Sequence, residues 1–140
     1  MKKVITNEYI EIKYEPEIKA IVIKWLPENQ CMSELEFHEQ LNTLFTTAEV
    51  LKADKMLIDA NDFSYPISQN SIKLIENYVN KSQIKTFGLV KSQHLLGKAA
   101  ILRLISKIDS HSLNLKLFND YETGQFWLNL FSAMNKKANI

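Results

Sequence analysis

One cysteine, three glycines and three prolines are few special residues for a chain of 140, and each shortage removes a class of chemistry. Cys31 alone can form no internal disulfide and no cysteine-only metal site. Gly88, Gly97 and Gly124 lie far apart, so no phosphate-cradling loop of the P-loop or dinucleotide type is present. Uninterrupted apolar runs are short, Ala20 to Ile23 for example, against the roughly 20 residues needed to cross a bilayer. The first residues carry two lysines, but Asn7, Glu8, Glu11 and Lys13 interrupt any signal-peptide core, which gives the expectation of a cytoplasmic protein. Neither sign of charge dominates: 17 basic and 16 acidic residues give a net charge of +1, and no field to recruit nucleic acid.

What is present is apolar. Hydrophobic residues make up 46% of the chain and aromatics 10%, enough for a single domain over residues 1–140 with a sheet and helices on both its faces. Ile10, Ile12 and Tyr14 alternate with Tyr9, Glu11 and Lys13, the period of a strand with one buried side. Glu15-Pro16-Glu17 signals a turn, and the β-branched run Ala20 to Leu26 completes an antiparallel hairpin, with Val4 and Ile5 able to add a short edge. Ser33 and Glu36 have capping-box spacing, and Phe37, Leu41, Leu44, Phe45, Ala48 and Leu51 follow on one helical face. Lys55 to Ala60 reads as a central strand. Ser68 or Ser71 caps a second helix with Ile72, Ile75 and Val79 inward.

Thr86 to Val90 is a fourth strand. Leu95 to Ile108 is a helix rich in Leu, Ile and Ala and fairly apolar all round, which predicts that it is well covered. Leu113 to Phe118 is a fifth strand, and a last helix, capped by Asn119 or Asp120, turns Trp127, Leu130, Phe131 and Met134 inward. The expected fold is therefore α/β: a mostly parallel five-stranded sheet with an N-terminal antiparallel hairpin and about four helices on both faces, in the order β-β-α-β-α-β-α-β-α.

Such a fold gathers the loops leaving its parallel strands along one edge, where open α/β sheets bind ligands. The gathered residues are Trp25, Pro27, Asp59, Asn61, Asp62, Phe63, Tyr65, Lys91, Ser92, His94, Asn119 and Asp120. Asp62, Asn119 and Asp120 are also good helix caps. Asp59, ending a buried strand, must be solvated, hydrogen-bonded or paired. A phosphoacceptor role for it would need an earlier acidic pair to hold magnesium, and Trp25-Leu26-Pro27 supplies none; Lys116 also lies inside a strand rather than past it. Ser92, His94 and Asp59 share the edge, but no G-x-S-x-G elbow precedes the serine. His38 reads as an outer-face residue and His111 as a loop residue, without ligand spacing. Cys31, just before a helix start, has no basic partner in sequence.

The hairpin ending in Ile23-Lys24-Trp25, the Leu57-Ile58-Asp59 strand, the Gly97-Lys98-Ala99-Ala100 helix start and Phe118-Asn119-Asp120 leading to Trp127-Leu128 together resemble the STAS-like domains. The likeness is to their SpoIIAA-like branch of small stand-alone bacterial proteins, anti-sigma-factor antagonists among them, and spans Tyr9 to about Phe131. It implies a non-enzymatic domain that binds a protein partner or a small or lipidic ligand. In the antagonists a phosphorylatable serine follows the aspartate in an Asp-Ser-Ser-Gly context. Here Asp59 is followed by Ala60-Asn61-Asp62, without that serine or glycine, and Ser64, Ser68 and Ser71 come later, which leaves partner binding open.

The leading expectation is thus a regulatory domain without catalytic residues, metal or cofactor. It would meet a protein partner through Trp25, Asp59, Asn61, Asp62, Phe63, Tyr65, Ser68, Lys91 and His94. The alternative is a carrier whose small hydrophobic or lipidic ligand lies between the sheet and the apolar third helix. A small enzyme of unknown reaction comes third.

Overall fold

The structure, a computed structural model, describes residues 1–108 and 113–138. Its strands are β1 (Lys2–Thr6), β2 (Ile10–Glu15), β3 (Ala20–Trp25), β4 (Lys55–Asp59), β5 (Thr86–Val90) and β6 (Asn114–Phe118). The helices are α1 (Glu34–Leu51), α2 (Gln69–Lys81), α3 (Leu95–Lys107) and α4 (Tyr121–Ala138), with a 3-10 turn at Pro27–Cys31. His111 lies outside the described residues.

The sheet has six strands rather than five. Lys2–Thr6 pairs antiparallel with β2, so the short edge suggested by Val4 and Ile5 is a full strand. It escapes the alternation test because it buries neither face: only Ile5 is even half-covered, and Lys2 and Lys3 charge the edge against further pairing. β2 and β3 form the expected hairpin, and β3 through β6 run parallel.

Strands follow one another across the sheet in chain order, β1 to β6. Every parallel crossover therefore steps in the same direction, and a single right hand for all of them puts α1, α2 and α3 on one face. α4 follows the last strand and folds over the other. Strand alternation divides the core accordingly. Ile10, Ile12, Ile21, Ile23, Met56, Phe87 and Leu89 meet α1 to α3, while Ala20, Val22, Leu57 and Val90 meet α4 through Leu128.

Helix ends follow the expected chemistry. Ser33 Oγ accepts from Glu36 N–H at 3.1 Å and Glu36 returns the bond to Ser33 N–H at 2.9 Å. Glu36 also accepts the Tyr9 hydroxyl at 2.6 Å, fixing the residue that leads into β2 to the start of α1 and pushing the phenol pKa up to about 12. Ser68, not Ser71, caps α2, and Asp120 accepts from both Thr123 N–H and O–H at the start of α4.

Two helix faces differ from expectation. On α4 the buried centre is Gly124 and Leu128, while Leu130 and Met134 are exposed. Missing side-chain bulk lets the helix rotate inward at Gly124, where a Cβ would already touch Leu57. On α3 only Gly97, Ala100 and Ile101 are buried, and Leu95, Leu96 and Leu102 face solvent. The helix lies over the β5–β6 side of the sheet, and among the described residues no fifth helix lies beyond it to cover its outer face.

Gly88, in the middle of β5, has its α-carbon directly beneath α4. A Cβ there would come within 2.7 Å of the Trp127 ring and 3.0 Å of Leu57 and Phe118. Gly88→Ala should therefore lower the unfolding free energy by about 1–3 kcal/mol, through overpacking, in urea titrations followed by tryptophan fluorescence. A neutral or stabilising substitution would show that α4 sits less tightly than described.

Candidate functional site

The edge at the carboxyl ends of β3 to β6 is built around Asn29, a buried residue of the 3-10 turn. Its amide nitrogen donates to Leu26 O at 2.7 Å and Asp62 O at 2.8 Å, and its oxygen accepts from Ser64 N–H at 2.9 Å and Tyr65 N–H at 3.1 Å. One side chain thus holds the loop after β4 against the loop after β3. Pro27-Glu28-Asn29-Gln30 reads in sequence only as a break, because an asparagine in a polar turn carries no signal of long-range bonding.

Pinned by Asn29, the loop turns its apolar residues inward. Phe63, Tyr65 and Ile67 are buried; Tyr65 stacks on Phe37 at 4.6 Å between ring centres, and Phe63 meets Trp25 edge-on at 5.1 Å. Burial pushes the Tyr65 phenol pKa up. α3 closes over this cluster. Ser92 Oγ donates to Phe63 O at 2.6 Å, and Gly97 packs so near Phe63 O and Ser92 Oγ that any Cβ would overlap them. Nearly two turns further on, the Arg103 guanidinium donates to Ile67 O.

The sheet then divides the candidate residues between its two faces. Trp25 and Phe63 line a cavity of about 110 Å³ between the sheet and the helices α1, α2 and α3. All of its lining is apolar, with Leu41 and Leu44 from α1, Val79 from α2, Leu89 and Leu115 from the sheet, and Ile101 and Ile105 from α3. Asp59, Asn61 and Asp62 line a separate groove of about 420 Å³ on the α4 face, beside Lys13, Lys24, Asp120 and Tyr121. The expected single convergence does not exist. Ser68 caps α2 and donates to Glu34 at 2.8 Å, and Lys91 and His94 lie exposed where α3 begins. Because strand order never reverses, the sheet also lacks the switch-point crevice in which open α/β folds hold ligands.

The serine, histidine and aspartate at this edge do not form a triad. Ser92 is fully buried with its hydroxyl proton on a backbone carbonyl, and His94 meets it through a backbone N–H that donates to Ser92 Oγ at 3.0 Å. His38, expected on the outer face, is instead half-buried with Nε2 2.8 Å from Ser71 Oγ. Glu34 approaches that same nitrogen at 3.9 Å, whereas a relay needs its acid on Nδ1. Among the described residues no group of three His, Cys, Asp or Glu side chains is placed to hold a metal. No helix among them is long and apolar enough to cross a membrane.

Asp59 is 5% exposed and accepts one bond, from Asn61 N–H at 3.1 Å. Burial raises its carboxyl pKa, with the Asn61 bond and the Lys24 charge opposing and Asp62 reinforcing. The native state therefore keeps this proton to a higher pH than the unfolded chain does. Stability falls as pH rises from the unfolded value through the raised native one. Asp59→Asn should raise the urea midpoint at pH 7, with the advantage shrinking as pH is lowered toward about 4, the ordinary aspartate range. A lower midpoint at pH 7 would mean that the ionised carboxylate is stabilised where it lies.

Asn29→Ala strands the Ser64 and Tyr65 N–H groups and should cost about 2–4 kcal/mol. Hydrogen exchange at those two amides would then rise toward loop rates; unchanged protection would show that other acceptors hold the loop. Comparison with known proteins finds no matching family model, no matching curated protein and no matching solved structure.

Proposed function

We propose that the chain is a non-enzymatic binding domain of the STAS-like type, and that its occupant is a small apolar molecule held between the sheet and α1 to α3. The observation that carries this reading is the cavity beneath α3. A dry void lined by hydrocarbon costs about 24 cal/mol per Å³, so 110 Å³ corresponds to about 2–3 kcal/mol that an apolar occupant would recover. An apolar cavity of roughly 150 Å³ holds benzene. The present one therefore suits a small ring or the end of a hydrocarbon chain, and longer chains require α3 to move outward from Leu115 and Leu89. α3 is attached to the loop near its start, through Gly97, and at its middle, through Arg103; Ile105 and Ile108 line the cavity beyond those two points.

Regulation through a protein partner at the Asp59–Ser71 loop becomes the second reading. Pro66 is the only exposed residue between Asp59 and Ser68, the others being buried or half-buried, so the loop offers little apolar surface to a partner. The mixed-charge groove around Asp59, Lys24 and Asp120 is what favours that reading still. An absence of catalysis is part of the proposal, supported by the backbone bonding of Ser92. So is placement in the reducing cytoplasm, with which a lone exposed Cys31 is compatible.

Protein purified without detergent and denatured for mass spectrometry should release a small apolar molecule. Saturating medium-chain fatty acid, at a hundredfold excess over Kd, should add about 2.7 kcal/mol to the unfolding free energy. Val79→Phe fills the cavity from α2 and should abolish that increment while leaving the protein folded. A clean spectrum with no stabilisation by any apolar compound, or an increment unchanged in Val79→Phe, contradicts the reading.

A further inference from the structure

A net charge of +1 conceals a segregation. Four of the 17 basic residues, Lys91, Lys98, Arg103 and Lys107, fall between Lys91 and Ile108, and none of the 16 acidic ones does; the first acid beyond is Asp109. The rest of the chain is therefore net acidic. Among the described residues no carboxylate lies within ion-pair distance of Lys91, Lys98 or Lys107.

The same stretch carries the largest uncovered aliphatic side chains beside the cavity. Leu95 is 82% exposed, Leu96 64% and Leu102 61%. Leu95, Ala99, Leu102 and Ser106 are spaced i, i+4, i+7 and i+11, so they form one outward stripe along α3. Helical geometry puts Lys98 on one flank of that stripe, and Arg103 and Lys107 on the other. Gly97, Ala100, Ile101, Leu104 and Ile105 form the opposite, inward face. A helix with an apolar ridge between cationic flanks and no acid on it matches a surface that is hydrocarbon beneath and anionic above. A protein groove of equal apolarity gains nothing from three flanking cations unless it is acidic as well. An anionic leaflet supplies both features at every position.

We propose that the outer face of α3 docks on an anionic lipid bilayer, with Leu95 and Leu102 entering the acyl boundary and Lys98 and Lys107 meeting lipid phosphates. Arg103 is already engaged with Ile67 O and acts as the tie between α3 and the body of the protein. Docking holds α3 flat on the leaflet with the apolar cavity on its other side, so a hydrocarbon chain leaving the bilayer would have only the thickness of this helix to pass. This inference goes beyond the cavity reading, and its test does not depend on it: vesicle association and cavity loading are separate measurements.

The experiment is flotation of the full chain with vesicles of phosphatidylcholine and phosphatidylglycerol in equal parts, and with phosphatidylcholine alone. Binding is expected to the first and to weaken at least about tenfold on the second, and similarly in Lys98→Glu/Lys107→Glu. Leu95→Ser/Leu102→Ser should also release the protein from anionic vesicles. All four positions are solvent-exposed, so thermal unfolding of both variants should match the wild type and show that lost binding is not lost folding. Equal recovery with the two vesicle types, no recovery with either, or full retention by both variants overturns the proposal. So does a concentration-dependent dimer that Leu95→Ser/Leu102→Ser dissolves, because the stripe would then be covered by a second copy.

Discussion

Strands laid down in chain order, joined by crossovers of one hand, dictate the asymmetry of this domain. Three helices must share one face of the sheet and only one is left for the other. α1 and α2 cover the middle of the crowded face, with Phe37, Leu41 and Leu44 against Ile72, Ile75 and Val79 in a shared core. α3 is left over β5 and β6 at the margin, where the core it meets is shallow and no further helix among the described residues backs it. The cavity beneath α3 and the leucines above it are two consequences of that one arrangement.

A second constraint decides where the helix is held. Asn29 takes all of its hydrogen bonds from backbone groups of two loops, and so sets the path on which Phe63 O and Ile67 O become available. Ser92 and Arg103 use those carbonyls to attach the β5–α3 turn and the middle of α3. Lys55 to Ser71 is thus a scaffold that fastens a neighbouring helix, and its aromatic residues form one end of the apolar interior. Asp59, on the opposite side of the same strand from Met56 and Ile58, belongs to a polar groove that this interior never meets.

Much of the fold was legible because periodicity reports burial on one side of an element. The hairpin, the three parallel strands, the capping box at Ser33 and the inward faces of α1 and α2 all follow from it. β1 was only half-legible, since a strand that buries nothing has no period to read. α3 departs from its periodicity more sharply. Apolar residues on most sides of a helix do not state that every side is covered, and Leu95, Leu96 and Leu102 are not. Which loop residues share a site was illegible as well, because strand parity at Trp25 and Asp59 sends neighbouring loops to opposite faces. Whole-chain charge hid the basic character of residues 91–108 for a simpler reason: an acidic remainder cancels it.

The central claim is that the space under α3 is dry, apolar and able to take an occupant. Diffraction from crystals pressurised with xenon tests it most directly, because xenon enters hydrocarbon-lined voids without help from any polar group. The account predicts a xenon atom bounded by Leu89, Ile101 and Leu115, displaced when Val79 is replaced by Phe. Ordered water at that position, or a collapsed interior with Ile101 packed directly on Leu89 and no xenon between them, would contradict it.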